Sequence, residues 1–235
     1  GYTEWGASGL AAVWAEENTR ESIYNAFRRK ETFATTGSRI KVRFFGGYEI
    51  DDIFNKEDPI NYAYSNGITM GSDLFQSENK IPQFMVWALR DLKRAPLDRV
   101  QIIKGWTELS GKPHEKIYDV ACADGRRPDS KTKLCKDSRA KVNLNNCRIS
   151  KNLGADELKA VWQDPDFDPN LKAFYYVRVL ENPTCRWSSW DAIKSGEIPR
   201  ADLPATIQER AWSSPIWYIP DSEGITIGNI LPDDI

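Results

Sequence analysis

Histidine is nearly absent: the 235-residue chain has only His114. A histidine-rich metal centre cannot be built from this chain alone, and no serine or cysteine nucleophile has a second histidine to serve it as a base. G-x-S-x-G, the P-loop and G-x-G-x-x-G are also missing, which removes the usual esterase, nucleotide and dinucleotide signatures. A surplus of one charge is lacking as well. The 32 Lys+Arg stand against 34 Asp+Glu, for a formal net charge of -2. That is no polyanion-binding composition, so nucleic acid is not an expected partner. No apolar run approaches the ~20 residues of a membrane span. No basic start and apolar core follow Gly1, so no signal peptide is expected in this stretch, which is uninformative for a fragment of a longer protein. There is neither an internal repeat nor a low-complexity tract.

Cysteine is sparse but even in number: Cys122, Cys135, Cys147 and Cys185. No C-x-x-C occurs, which argues against a zinc ribbon or a thioredoxin-type site. Two disulfides in an oxidising compartment, periplasmic or secreted, are the expected state, against buried free thiols. Three pairings are open. The expected one joins Cys122 to Cys135 across the polar loop between them, and Cys147 to Cys185.

What the chain does have is strand-forming sequence. Ile40, Val42 and Phe44 alternate with Lys41 and Arg43. Further strands are expected at 83–90, 98–107, 115–122, 140–146, 173–181 and 214–219, with turn signals between them. About seven such strands suggest a β-sandwich, looser than a compact immunoglobulin domain. The predicted fold is mainly β with α+β elements. Helices are expected over 155–162, where Leu158, Val161 and Trp162 share a face, and over 188–195, with a serine cap and a stop at Gly196. Before the sandwich, 1–39 reads as a β–α–β unit. Gly9 to Ala15 fits a strand buried on both faces of a parallel sheet, and Asn18 with Glu21 fits a helix start. One such unit cannot bury itself. The expected organisation is therefore 1–39 as the β–α–β segment, 40–220 as the sandwich with helical insertions, and 221–235 as a tail.

Few residues suggest chemistry. Glu16, Glu17 and Asn18 sit where strand passes into helix, the position that lines the active site of a β/α barrel; helix capping by Asn18, with both glutamates at the positive end of the helix, is the favoured reading. The small, polar stretch from Ala34 to Arg39 offers hydroxyls, Thr36 among them, and the guanidinium of Arg39 to an anion; a plain strand–turn–strand link is at least as good a reading. Asp164, Asp166 and Asp168 resemble the start of a calcium loop, but Pro169 and Tyr175 occupy the positions of its glycine and its bidentate glutamate, so a proline-stiffened turn is expected. The late tryptophans Trp187, Trp190, Trp212 and Trp217 are expected in the core, with stacking on sugars as the other reading. His114 is expected in a solvent-facing turn.

Several runs carry a resemblance. They are Val13–Glu21 (VWAEENTRE), Phe33–Ile40 (FATTGSRI), Arg43–Gly47 (RFFGG), Leu97–Trp106 (LDRVQIIKGW), Ala173–Thr184 (AFYYVRVLENPT) and Gln208–Tyr218 (QERAWSSPIWY). Together they resemble the C-terminal part of the domain-of-unknown-function-3604 (DUF3604) family, which looks related to the polymerase-and-histidinol-phosphatase (PHP) metallohydrolases. The resemblance implies a distorted β/α barrel that residues 1–39 would close. It also implies a divalent metal held by histidines and carboxylates in an upstream half, hydrolysis of esters, amides or carbamates, and export from the cytoplasm. It places no metal ligand in this chain. Glu16, Glu17, Asn18, Thr36 and Arg39 are the candidates to face the pocket. The expected partner is the chain's own upstream barrel half or a symmetry-related copy; the other reading is a stand-alone module that binds carbohydrate or protein.

Overall fold

The computed structural model describes residues 2–77, 80–150 and 152–221. The chain opens with strand β1 (Leu10–Val13), helix α1 (Arg20–Arg28) and strand β2 (Thr32–Thr35). Then come β3 (Lys41–Gly47), α2 (Pro59–Asn66), β4 (Ile68–Thr69), β5 (Asp73–Phe75), β6 (Gln83–Leu89), β7 (Leu97–Thr107) and β8 (Pro113–Cys122). Two short strands, β9 (Val142–Asn143) and β10 (Arg148–Ile149), lead to β11 (Glu157–Gln163) and β12 (Ala173–Glu181). The described chain finishes with β13 (Thr184–Cys185), α3 (Trp187–Ser195), β14 (Thr206–Ile207), β15 (Arg210–Ser213) and β16 (Ile216–Ile219).

The fold is mainly β. An eight-stranded sheet runs β1-β2-β15-β12-β16-β5, with β7 also on β12 and β8 on β7. A four-stranded sheet runs β11-β6-β3-β4. All pairings are antiparallel except β16 with β5. The alternation in each strand decides which residues meet between the sheets. Val42 and Phe44 of β3, Phe84, Val86 and Ala88 of β6, and Tyr175, Val177 and Val179 of β12 belong to one buried cluster. The opposite face of β3 and β6 places Phe45 and Met85 against Ile53 and Ala63, under α2. Asp58 starts α2 by accepting the N–H groups of Ile60 and Asn61 at 3.1 and 3.0 Å, with Pro59 in the first turn, a strong helix start that the periodicity alone does not expose.

The N-terminal unit departs from the expected parallel crossover. Val13 lies opposite Thr32 and Leu10 opposite Thr35, so β1 and β2 are antiparallel. Helix α1 leaves and returns at the same end of the pair, as a long hairpin connection does. Strand β1 is not buried on both faces: Leu10 and Ala11 are exposed and Ala12 and Val13 half-buried. Strand β2 continues through β15 into the large sheet, with Ala34 opposite Trp212. No barrel forms among the described residues. The cap of α1 is Thr19, whose hydroxyl accepts from Ser22 N–H at 3.2 Å, rather than Asn18.

Three further expectations change. The segment 155–162 is a strand, not a helix: β11 pairs with β6 over seven residues, from Glu157–Leu89 to Gln163–Gln83. Leu158, Ala160 and Trp162 all pack toward the core cluster, a period of two that Leu158 and Trp162 satisfy as readily as a helical one. The strand expected over 140–146 shrinks to β9. Helix α3 starts from Arg186 without a side-chain cap, yet ends on a left-handed Gly196 as expected, at φ 73°. Of the tail 221–235, all but Asp221 lies outside the described residues.

Both disulfides have the expected pairing, Cys122–Cys135 and Cys147–Cys185, with Cα–Cα distances of 6.0 and 5.6 Å. The first ties the end of β8 to the loop after it. The second ties the β9–β10 hairpin to β13.

Candidate functional site

Strands β3 and β6 pair with Lys41 opposite Leu89. Past that pair the chain turns through Gly37–Arg39 on one side and Arg90–Arg94 on the other, leaving a groove that Asp156 and Glu157 close. Asp91 organises it. Its carboxylate accepts Arg39 N–H and Lys93 N–H, each at 2.9 Å. Partial burial would raise the Asp91 carboxyl, but these two N–H groups and the cations of Arg94 and Arg39 hold it below the usual range. Arg90 pairs with Asp156 at 2.8 Å. Glu157 accepts the indole N–H of Trp87 at 2.5 Å.

Glu181, at the end of β12, is fully buried and near enough to Asp91 and Arg94 to feel both charges. The Ser38 hydroxyl lies close enough to bear on its carboxyl, yet neither carboxyl oxygen completes a hydrogen bond among the described residues. Burial, reinforced by the carboxylates of Glu209 and Asp91, pushes this acid up to about 8, against the weaker pull of Ser38 and Arg94. This shift favours the protonated, neutral acid near neutral pH.

A second cluster surrounds Glu31, at the start of β2. Arg29 reaches it at 3.3 Å, Arg43 at 3.7 Å and the Thr69 hydroxyl at 3.2 Å, and Tyr64 O–H also donates to it. Burial and the adjacent carboxylate push the Tyr64 phenol up to about 12. The Arg43 guanidinium lies 3.5 Å from the centre of the Trp14 ring, a cation–π contact. Trp14 in turn donates its indole N–H to Val42 O at 2.8 Å.

A third cluster sits inside. Lys104 of β7 pairs with Asp164 at 2.5 Å, both buried. Tyr175 O–H donates to the same Asp164 oxygen at 2.7 Å. Lys104 also donates to Asp166 O at 2.7 Å, and Tyr118 O–H donates to the Asp166 carboxylate at 2.6 Å. Burial and the nearby carboxylates raise both phenols far above the usual range. The Asp-Pro-Asp segment is thus a turn, as expected, but one anchored by a buried ion pair.

The residues singled out from sequence scatter over these features. Glu16, Glu17 and Asn18 are exposed on the bend after Trp14, and Glu17 N–H donates to Ser22 Oγ at 3.2 Å. Thr36 is committed to the backbone of Arg210, whose N–H it accepts at 2.9 Å. Arg39 lines the groove beside Gly37. His114 is a strand residue of β8 rather than a turn residue; it stacks on Trp106 at 5.1 Å and meets Glu108 at 2.5 Å. The late tryptophans are not core. Trp217 is 45% exposed, because Ile216 and Tyr218 on either side point inward. Trp190 is also exposed, and Trp187 and Trp212 are half-buried. Among the described residues no three His, Cys, Asp or Glu side chains come together as a metal-binding group. The resemblance places the ligands of its implied metal in an upstream half, not among these residues. No helix among them is long and apolar enough to cross a membrane.

Residues 1–220 match the family model described as "Protein of unknown function (DUF3604)", and the chain belongs to that family. No curated protein and no solved structure matches it.

Proposed function

Starting from that family membership, we propose that the chain is the non-catalytic C-terminal portion of an extracytoplasmic metal-dependent hydrolase acting on esters, amides or carbamates. The observation that carries this reading is the open edge of β1. Strand β1 pairs with β2 on one side and with no strand among the described residues on the other. It presents Leu10, 43% exposed, at that margin of the large sheet. An unprotected, uncharged edge of this kind is a template for another strand. In this reading the added strand belongs to an upstream barrel half, which would hold the divalent metal. On the same reading 1–39, whose β1 and β2 extend the large sheet, joins that barrel, and 40–220 forms an immunoglobulin-like sandwich that braces it. Two disulfides in one chain favour an oxidising compartment.

The test is to express this chain with and without the upstream half and to assay metal content and hydrolysis of aryl esters, anilides and carbamates. The reading expects metal-dependent turnover only when both halves are present. A complete protein that binds no divalent metal ends it.

A second reading, a stand-alone binding module, draws on one feature. Trp217 packs against Phe174 at 5.2 Å on the outer face of the large sheet, beside a hollow floored by Gly105. Exposed rings of this sort stack on sugars. Tryptophan fluorescence unmoved across a broad glycan panel removes that option.

A further inference from the structure

The groove beside Arg39 does not end at Lys41 and Leu89. The same two residues line a smaller hollow with Trp14, Arg43, Ile60 and Trp87. The two hollows therefore run together along the face of β3 and β6 opposite the core. Their ends differ in chemistry. Ile60, Trp87 and Leu89 make one end apolar, whereas Arg39, Lys93 and Arg94 make the other cationic.

The cationic end carries an uncompensated charge. Five cations line the larger hollow against three carboxylates: Asp91, Asp156 and Glu157. All three carboxylates are already engaged, with backbone N–H groups, with Arg90, and with the Trp87 indole and Lys159, respectively. Among the described residues, the charged groups of Arg39, Lys41, Lys93 and Arg94 form no ion pair. The backbone that carries them is held in place. Asp91 pins both sides of the groove, and Arg94 N–H closes the turn on Asp91 O at 3.0 Å. Leu92, 78% exposed, stands among these cations together with Leu89. Neither leucine is needed for the chain's own core.

We infer that this groove binds an amphipathic organic anion, with its charged group between Arg39 and Arg94 and its apolar body against Leu89 and Trp87. Charge complementarity selects the anion, since five cations against three carboxylates leave the groove net positive. The neighbouring apolar end selects against small inorganic ions, which would leave it in water. The length available is that of four extended residues from Arg39 to Arg43, about 13 Å, enough for one or two rings or a short acyl chain. A guanidinium at each side of the charged end suits the paired oxygens of a carboxylate, sulfate or phosphate group. The inference stands on this chain alone and does not depend on the hydrolase reading.

The experiment is calorimetric titration of the full chain with 2-naphthoate, with neutral 2-naphthamide and inorganic sulfate as the other arms. Amide chemical shifts give the location. Saturable binding of 2-naphthoate is expected, with shifts at Arg39–Lys41 and Leu89–Arg94. Both other arms should bind at least about tenfold more weakly, because each lacks one half of the recognition. The double substitution Arg39→Ala with Arg94→Ala changes two exposed side chains and should cost about tenfold or more. Leu89→Asn should weaken 2-naphthoate while leaving sulfate unchanged. The inference is overturned if 2-naphthamide or sulfate binds as well as 2-naphthoate. Unaltered affinity in the double variant, or shifts elsewhere on the chain, overturns it equally.

Discussion

Replacing Glu181 by glutamine isolates one buried proton. The wild-type carboxyl is fully buried and completes no hydrogen bond among the described residues, and its ionisation is pushed from 4.5 to about 8. An unfolded chain loses this proton near the ordinary value, while the folded chain keeps it until about 8. Between those limits the folded state holds more protons than the unfolded state, so stability falls as pH rises across that window. Each tenfold change in proton concentration inside it costs about 1.4 kcal/mol, giving a ceiling of about 5 kcal/mol for the whole interval. The glutamine side chain keeps the shape and does not titrate. Urea unfolding at pH 5 and at pH 8.5 measures both proteins. All other titrating groups are common to the pair and cancel in the difference. The expected result is a wild-type stability that drops by several kcal/mol more than that of Glu181→Gln. Equal losses in the two proteins would mean that Glu181 is ionised, or solvated, in the folded chain.

Other perturbations probe the buried ion pair and the disulfides. Asp164→Ala leaves Lys104 charged, buried and unpaired, and should cost about 3–5 kcal/mol in urea unfolding. The double change Asp164→Leu with Lys104→Met removes both charges and should recover most of that loss. Opening Cys147–Cys185, with its separation of 38 residues, should cost about 4 kcal/mol, and opening Cys122–Cys135, with 13, about 3 kcal/mol. Variants with one pair replaced by serine, compared by unfolding without reductant, give the order.

Much of the β framework was legible because one face of each long strand is buried. The alternation of Ile40, Val42 and Phe44 marks β3, and the run from Ala173 to Glu181 coincides with β12. The cysteine pairing was legible too, since the short gap from Cys122 to Cys135 encloses only polar loop. Residues 155–162 misled because Leu158 and Trp162 lie four apart, a spacing that fits a helix and a strand alike. What decides is the neighbouring edge of β6, which local sequence does not contain. The N-terminal apolar run misled for a related reason: small alanines suit a half-exposed edge as well as a buried strand. The candidate site was legible only in part. Arg39 beside Gly37 offered a guanidinium in a turn, but Lys93 and Arg94 join it only through the β3–β6 pairing. Asp164 looked like one acid in a polar turn until Lys104, far upstream on β7, was seen to meet it.

Amide hydrogen exchange at Leu10–Val13, measured on this chain alone and on its complex with the upstream half, tests most directly whether the chain completes a larger hydrolase. Outward amides of β1 are expected to exchange fast in the isolated chain. They become protected on assembly, together with the onset of metal-dependent hydrolysis. Exchange at β1 that is unchanged by the upstream half, with no hydrolysis gained, would contradict that assembly.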